Sequence, residues 1–138
     1  MASIGDTSFV VSVAIESDHY HKACLTVYRE EREIYLLQPA LAEIAYLLRR
    51  ERGNEMVARF LAGLRTSKYK VLSLEEADID RIAELLRQYA DSCIDLVDAS
   101  VIAVAERLEI TRILTLDQRD FRIVRPRHSQ YFELLPQP

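Results

Sequence analysis

The chain has 138 residues, of which 49% are hydrophobic and 29% charged, with a formal net charge of −4. This length and apolar content predict one domain over 1–138 and exclude both intrinsic disorder and a wholly basic surface. Two cysteines, Cys24 and Cys93, are too few for a disulfide framework, and we interpret both as reduced packing thiols. Because charges interrupt every apolar run and no signal peptide is visible, we expect a cytoplasmic protein that does not bind membranes.

Short apolar runs alternate along the chain with segments of helical periodicity. In the first half, the predicted elements are a very short strand at Ser3-Ile4, a helix from Asp6-Thr7 to about Ile15, a helix from Ser17-Asp18 to about Arg32, a strand at 34–37, a helix from Pro39 that ends at Gly53-Asn54, and a short helix at 56–64. In the second half they are a strand near 71–74, a helix from about Ile79 to Tyr89, a helix from Asp95 to Leu108, a strand at 113–116, a short strand at Ile123-Val124, and a tail that ends in proline.

This order of elements favours an α/β fold in which a short central parallel sheet carries helices on both faces. The segment 95–108 is largely apolar, which predicts a buried helix. In sheets of this kind, ligands bind outside the carboxyl ends of the strands, near the point where the strand order reverses. The residues that directly follow each strand are therefore the first candidates for a functional site.

Acidic residues occupy these positions. Asp6 follows the first strand, and Asp117 follows the strand at 113–116. Glu43 and Asp98 lie in the first turns of helices that begin at the same edge of the predicted sheet. We therefore expect these four carboxylates to converge.

Clustered carboxylates repel one another, and a divalent cation removes that repulsion. Mg²⁺ prefers oxygen ligands and needs only one or two direct carboxylates, whereas zinc would require His or Cys at spacings that this chain lacks. A site with Mg²⁺ or Mn²⁺ is suited to phosphodiester hydrolysis. Each acid also has a simpler structural explanation, and these alternatives stay open: capping for Asp6, an N-cap pair for Asp95 and Asp98, a solvated helix position for Glu43, and a turn for Asp117 and Asp120.

Basic residues concentrate in 49–70, which holds seven Lys or Arg against two acids. Arg49, Arg50 and Arg52 begin this segment, near the end of the helix that carries Glu43. We predict that they bind the backbone phosphates of a nucleic-acid strand and supply salt-sensitive affinity that is independent of sequence. The alternative is a solvated helix end, where Arg residues also favour the helix dipole.

Four segments share their order and spacing with a known family. They are Asp6-Thr7-Ser8, 41–48 (LAEIAYLL), 95–100 (DLVDAS) with 105–108 (AERL), and 114–121 (LTLDQRDF) with 124–126 (VRP). In these segments the chain resembles the PIN-domain ribonucleases, and within them the VapC-type toxins of bacterial toxin–antitoxin pairs. The resemblance covers nearly the whole chain, although the first strand is shorter here than is usual in the family.

The resemblance implies a PIN-like three-layer sandwich and an endoribonuclease that depends on Mg²⁺, for which Mn²⁺ can substitute. The implied catalytic residues are Asp6, Glu43, Asp98 and Asp117, with the metal held by Asp6, Asp98 and Asp117. The implied secondary residues near the pocket are Ser8, Asp95, Thr115 and Asp120. The resemblance also implies a homodimer and a small VapB-like antitoxin whose segment blocks the site.

Two other functions are compatible with acids at strand ends. A catalytically silent PIN-like module that binds RNA or protein would lack one of the acids, and here all four are present. A receiver-like signalling domain would need a strand-end lysine, and no lysine follows Lys70. The residues therefore favour the nuclease.

Overall fold

The structure, a computed structural model, describes residues 2–138, so only Met1 of the expected 1–138 domain lies outside the described residues. The strands are β1 (Ala2–Gly5), β2 (Glu33–Leu37), β3 (Tyr69–Leu72), β4 (Arg112–Leu114) and β5 (Glu133–Leu135). The helices are α1 (Thr7–Ala14), α2 (His21–Glu30), α3 (Gln38–Gly63), α4 (Glu76–Gln88), α5 (Leu96–Leu108) and α6 (Gln118–Ile123), with one 3₁₀ turn at Leu64–Thr66.

The five strands form one parallel sheet in the order β3-β2-β1-β4-β5. Strand β1 is central, and its last residue, Gly5, pairs with Leu36 on one side and Leu114 on the other. Because the strands are parallel, all their carboxyl ends lie at one edge. The strand order reverses between β1 and β4, so this edge is where a ligand site is expected.

Hydrophobic clusters cover both faces of the sheet, which confirms the predicted three layers. One cluster joins Ile4 and Ile113 to α4 and to α5, whose residues from Ala99 to Ala105 are all buried. The other joins Ile34 and Leu114 to α1, α2 and α3. The neighbours Ile113 and Leu114 belong to opposite clusters because successive strand side chains alternate between faces.

The long helix α3 contains a break at Gly53, where the backbone has φ 79° and ψ 179°. A positive φ is accessible to glycine without the steric cost that other residues incur. The predicted end of the helix at Gly53-Asn54 is therefore confirmed. Within residues 2–138, no helix combines the length and the apolar character that crossing a bilayer requires.

Three predictions about local structure are wrong. The segment at Ile123-Val124 is not a strand, because α6 buries Phe121 and leaves Ile123 exposed. The tail instead contributes β5, which pairs with β4. Helix α2 begins at His21, because the Asp18 carboxylate accepts hydrogen bonds from the Ser12 hydroxyl and the Tyr20 amide and so forms a turn. Cys24 is buried as expected, but Cys93 is exposed and is not a packing thiol.

Candidate active site

Asp6 follows β1 directly and lies in the middle of the carboxyl edge of the sheet. It is only 4% exposed. Asp6 occupies the N-cap position of α1, yet its side chain makes no capping hydrogen bond. Its Oδ2 atom instead accepts a hydrogen bond of 3.0 Å from the hydroxyl of Thr115, which follows β4. Helix capping therefore does not explain this buried acid.

Two other acids, Glu43 and Asp117, act electrostatically on Asp6. Burial raises the pKa of Asp6 to about 6, although the hydrogen bond from Thr115 works in the opposite direction. The negative charges of Glu43 and Asp117 raise this pKa further. The carboxylates of Glu43 and Asp117 therefore lie within electrostatic range of Asp6.

Asp98 lies in the first turn of α5 and forms a reciprocal capping box with Asp95. The Asp98 amide donates to Asp95 Oδ1 at 3.0 Å, and the Asp95 amide donates to Asp98 Oδ2 at 3.1 Å. Burial raises the pKa of Asp98 to about 8, and the charges of Asp6 and Asp95 add to this rise. The capping explanation is thus correct for this pair, and Asp98 nevertheless shares the acidic edge with Asp6.

Two hydroxyls connect the end of β1 to the loop that carries Asp117. Ser8 Oγ lies 3.3 Å from Thr115 Oγ1 and accepts a hydrogen bond of 2.9 Å from the Leu116 amide. Thr115 Oγ1 accepts from the Asp117 amide at 3.0 Å while it donates to Asp6. The hydroxyls therefore position the backbone at Asp117 and one carboxylate oxygen of Asp6.

The remaining acids are less buried. Asp117 is exposed, and Glu43 and Asp120 are half-buried. Asp120 borders a cavity of about 340 Å³ beside Cys93 and Arg119. Its charge is not among the causes that shift the pKa of Asp6 or Asp98. Glu43 and Asp117 therefore act electrostatically on Asp6, whereas Asp120 borders a separate cavity.

Gln118 has a positioning role that the sequence analysis missed. Its Nε2 atom donates to the Thr115 carbonyl at 3.1 Å and to the Pro136 carbonyl at 2.9 Å. Its Oε1 atom accepts a hydrogen bond of 2.9 Å from Arg122. Gln118 thereby ties the end of β4, helix α6 and the segment after β5 together. Its place directly after Asp117 is the one signal in the sequence that marks it.

The donor chemistry of this edge fits a hard divalent cation. Among residues 2–138, no basic side chain lowers the pKa of Asp6 or Asp98, so their repulsion has no cationic partner in the described part of the chain. No three carboxylate, imidazole or thiol groups of these residues converge closely enough to chelate one ion by themselves. Mg²⁺ is compatible with that geometry because it takes one or two direct carboxylates and retains several waters.

The three candidate RNA-binding arginines lie on α3 before the break at Gly53, and all are exposed. Arg52 donates to Ser17 Oγ at 3.0 Å, and Arg50 lies 3.7 Å from the Glu51 carboxylate. At the rise of an α-helix, Arg50 lies about 10 Å along the axis from Glu43. Arg49, Arg50 and Arg52 therefore lie beyond the acidic group, and RNA binding by them stays a prediction.

Comparison with known proteins identifies the family. A family model described as the PIN domain matches residues 4–125, a range that includes all four acids. Over 132 residues the chain is 26% identical to Ribonuclease VapC26 of Mycobacterium tuberculosis, and the match covers 95% of this chain and 98% of that protein. The two sequences are therefore similar over nearly their whole length.

Solved structures share the fold. VapC20 of Mycobacterium tuberculosis, described as a sarcin-ricin loop cleaving toxin, superposes with a TM-score of 0.76 at 21% identity over 83% of this chain and 89% of that chain. VapBC2 of Rickettsia felis, solved bound to a promoter DNA fragment, gives 0.70 at 15% identity over 99% and 100%. A toxin–antitoxin complex from Klebsiella pneumoniae gives 0.67 at 14% identity over 95% and 99%. The match of the family model over most of the sequence, on a fold with this sheet order, shows that the chain belongs to the PIN domain family.

Proposed function

We propose that this protein is a metal-dependent endoribonuclease that acts as the toxin of a type II toxin–antitoxin system. The observation that carries the proposal is the buried carboxylate of Asp6 at the reversal of strand order, which the Thr115 hydroxyl joins to the Asp117 amide. The charges of Glu43 and Asp117 also act on it. The similarity to Ribonuclease VapC26 supports RNA as the substrate class. Because the proposed substrate, cellular RNA, lies in the cytoplasm, we expect the protein to act in the cytoplasm.

We assign Asp6, Asp98 and Asp117 to hold Mg²⁺ or Mn²⁺, directly or through water. When bound, the cation polarises the scissile phosphate and offsets the charge that develops on its oxygens. Thr115 keeps one oxygen of Asp6 fixed, and the Asp95 amide does the same for Asp98 Oδ2. These contacts hold both carboxylates in defined orientations before the substrate arrives, which reduces the reorganisation needed for catalysis.

We assign Glu43 to orient the attacking water and to accept its proton. Glu43 lies within electrostatic range of Asp6 and is only half-buried, so its carboxylate is reachable from solvent. The water oxygen attacks phosphorus, one bond from phosphorus to a ribose oxygen breaks, and the leaving oxygen takes a proton from solvent. A positioned base of this kind typically contributes about 10²–10⁴-fold to the rate.

We also propose a VapB-like antitoxin as the partner and a homodimer as the quaternary state. The antitoxin is supported by the fold shared with a toxin–antitoxin complex and with VapBC2. Light scattering of the purified chain tests the dimer. Co-expression with any small open reading frame found next to its gene tests the antitoxin.

The test of the proposed function is the cleavage of mixed cellular RNA by the purified protein. We expect cleavage with Mg²⁺ or Mn²⁺, loss of cleavage with EDTA, and recovery when excess metal is added back. The same metals should raise the melting temperature, because a ligand that binds the native state stabilises it by mass action. RNA binding without cleavage at any metal concentration would instead identify the catalytically silent module.

A further inference from the structure

A cleft of about 750 Å³ opens directly beside Asp117. One wall is the start of α2, with Tyr20 and Ala23. The opposite walls are α6 with the residues before it, and the last three residues of the chain. The cleft lies within the size range of about 300–1,000 Å³ that small ligands occupy. It therefore has room for a group larger than the scissile phosphate alone.

The side chains of this cleft combine an aromatic face with positive charge. Tyr20 is 52% exposed, so its ring is accessible from the cleft. Arg119 and Arg122 lie on the same cleft, and neither guanidinium forms an ion pair with any of residues 2–138. An accessible ring beside unpaired arginines is the combination that binds single-stranded nucleic acid, where bases stack and phosphates pair with cations.

One of these arginines is held in place. Arg122 Nη2 donates to Gln118 Oε1 at 2.9 Å, and Gln118 Nε2 is fixed by the Thr115 and Pro136 carbonyls. The same Thr115 bonds Asp6 through its hydroxyl. A short chain of hydrogen bonds therefore links the arginine of the cleft to the acidic group. This link sets the distance between Arg122 in the cleft and Asp6 in the acidic group, and so favours a ligand that contacts both places.

We propose that this cleft binds the unpaired nucleotide next to the scissile phosphodiester, with its base stacked on Tyr20 and its phosphate paired with Arg119 and Arg122. The proposal rests on the ribonuclease function proposed above and extends it to a subsite that selects the cleaved position. The arginines favour an anionic ligand over a neutral peptide. The position of the cleft beside Asp117 favours RNA over an acidic peptide, because the proposed function places the RNA backbone there. An unpaired base is required because a base within a duplex cannot stack on a side chain.

The test uses fluorescein-labelled 12-residue oligouridylate and oligoadenylate, each single-stranded, and the duplex of the two. Binding to the full chain is measured by fluorescence anisotropy in EDTA. We expect Tyr20→Ala to weaken binding of both single strands by at least about fivefold and to leave binding of the duplex unchanged. Tyr20→Phe should bind as the wild type does, because it retains the ring. Arg122→Ala should weaken binding of all three and flatten the dependence on salt.

Matched controls lie at the opposite edge of the sheet. Tyr131 is 66% exposed and precedes β5, and Arg32 is exposed and precedes β2. Tyr131→Ala and Arg32→Ala should bind all three probes as the wild type does. In Mg²⁺, Tyr20→Ala should also change which phosphodiester bonds of mixed RNA are cut, while Tyr131→Ala keeps the wild-type pattern.

The failure of this proposal is distinct from failure of the proposed function. If the wild type cleaves RNA but Tyr20→Ala and Arg122→Ala retain its affinities and cleavage pattern, the subsite is refuted and the nuclease stands. An equal loss for Tyr20→Ala and Tyr131→Ala would also refute it. If the wild type cleaves no RNA with any metal, the proposed function itself fails, whatever the cleft binds.

Discussion

The hydroxyl of Thr115 donates to Asp6 Oδ2 at 3.0 Å and accepts from the Asp117 amide at 3.0 Å. One side chain thus joins two acids that are far apart in sequence. The bond to Asp6 is buried, and its geometry depends on β4 lying beside β1. Thr115 is therefore a positioning residue for both Asp6 and Asp117.

Thr115→Val tests this role, since valine keeps the shape of threonine and removes its hydrogen bonds. We expect the free energy of unfolding to fall by about 1–3 kcal/mol, because the buried Asp6 carboxylate and the Asp117 amide lose a partner. RNA cleavage should fall by at least about tenfold as the acids lose their alignment. The control is Thr111→Val, just before the amino end of β4, which should leave cleavage unchanged. Wild-type cleavage by Thr115→Val would contradict the assignment.

Asp95 is expected to act through Asp98. Asp95→Ala removes the acceptor for the Asp98 amide, which should lower stability by about 1 kcal/mol and reduce cleavage. Asp95→Asn keeps an acceptor at the N-cap and should retain most of the stability and most of the RNA cleavage. Chemical denaturation and RNA cleavage are measured for each variant.

Helix α4 provides the control for this capping box, because Glu75 and Asp78 form an equivalent one. Glu75→Ala should cost comparable stability without a loss of cleavage. If Glu75→Ala and Asp95→Ala reduce cleavage equally, Asp95 is only a structural cap.

The metal-free protein should become less stable as the pH rises. The pKa values of Asp6 and Asp98 are about 6 and about 8 in the folded chain, against an ordinary value of 3.8. Between pH 3.8 and about pH 8, the folded state therefore binds more protons than the unfolded state. The free energy of unfolding consequently falls as the pH rises through that interval. Urea unfolding in EDTA at about pH 5 and about pH 8 measures the difference. Asp98→Asn should reduce this decline, and an equal decline in the variant would contradict the account.

The arginines before Gly53 carry a separate prediction about RNA. Changing Arg49, Arg50 and Arg52 together to Ala should weaken RNA binding and flatten the slope of log affinity against log salt, because fewer counterions are released. Binding is measured across a salt series in EDTA.

The matched control removes three exposed arginines that lie near the amino ends of β2 and β3, namely Arg29, Arg32 and Arg65. This control should keep the wild-type slope. Equal slopes for both triple variants would show that the first cluster does not contact the RNA backbone.

Much of the fold could be predicted from the sequence because its signals are local. The apolar run at 34–37, the break at Gly53 and the buried helix after Asp95 each depend on neighbouring residues, and each is confirmed. Strand β5 could not be predicted in this way. It is three residues long, and pairing with β4 rather than its own pattern makes it a strand.

In the site, too, local signals in the sequence predict some features, and contacts between distant segments determine the others. Positions after strand ends identified Asp6 and Asp117 as candidates, and the pKa of Asp6 agrees with their proximity. The bond from Thr115 to Asp6 and the contacts of Gln118 depend on which strands are neighbours and on where the chain returns after β5. No spacing along the sequence reports those distances.

The measurement that tests the central claim most directly is RNA cleavage by Asp98→Asn with saturating Mg²⁺. Asparagine keeps the size of the side chain and removes the charge that the metal requires. The account predicts a folded protein, verified by circular dichroism and cooperative unfolding, whose cleavage falls at least about 10²-fold. The matched variant Asp80→Asn, an exposed acid on α4, should cleave as the wild type does. Near-wild-type cleavage by a folded Asp98→Asn protein would contradict the proposed active site.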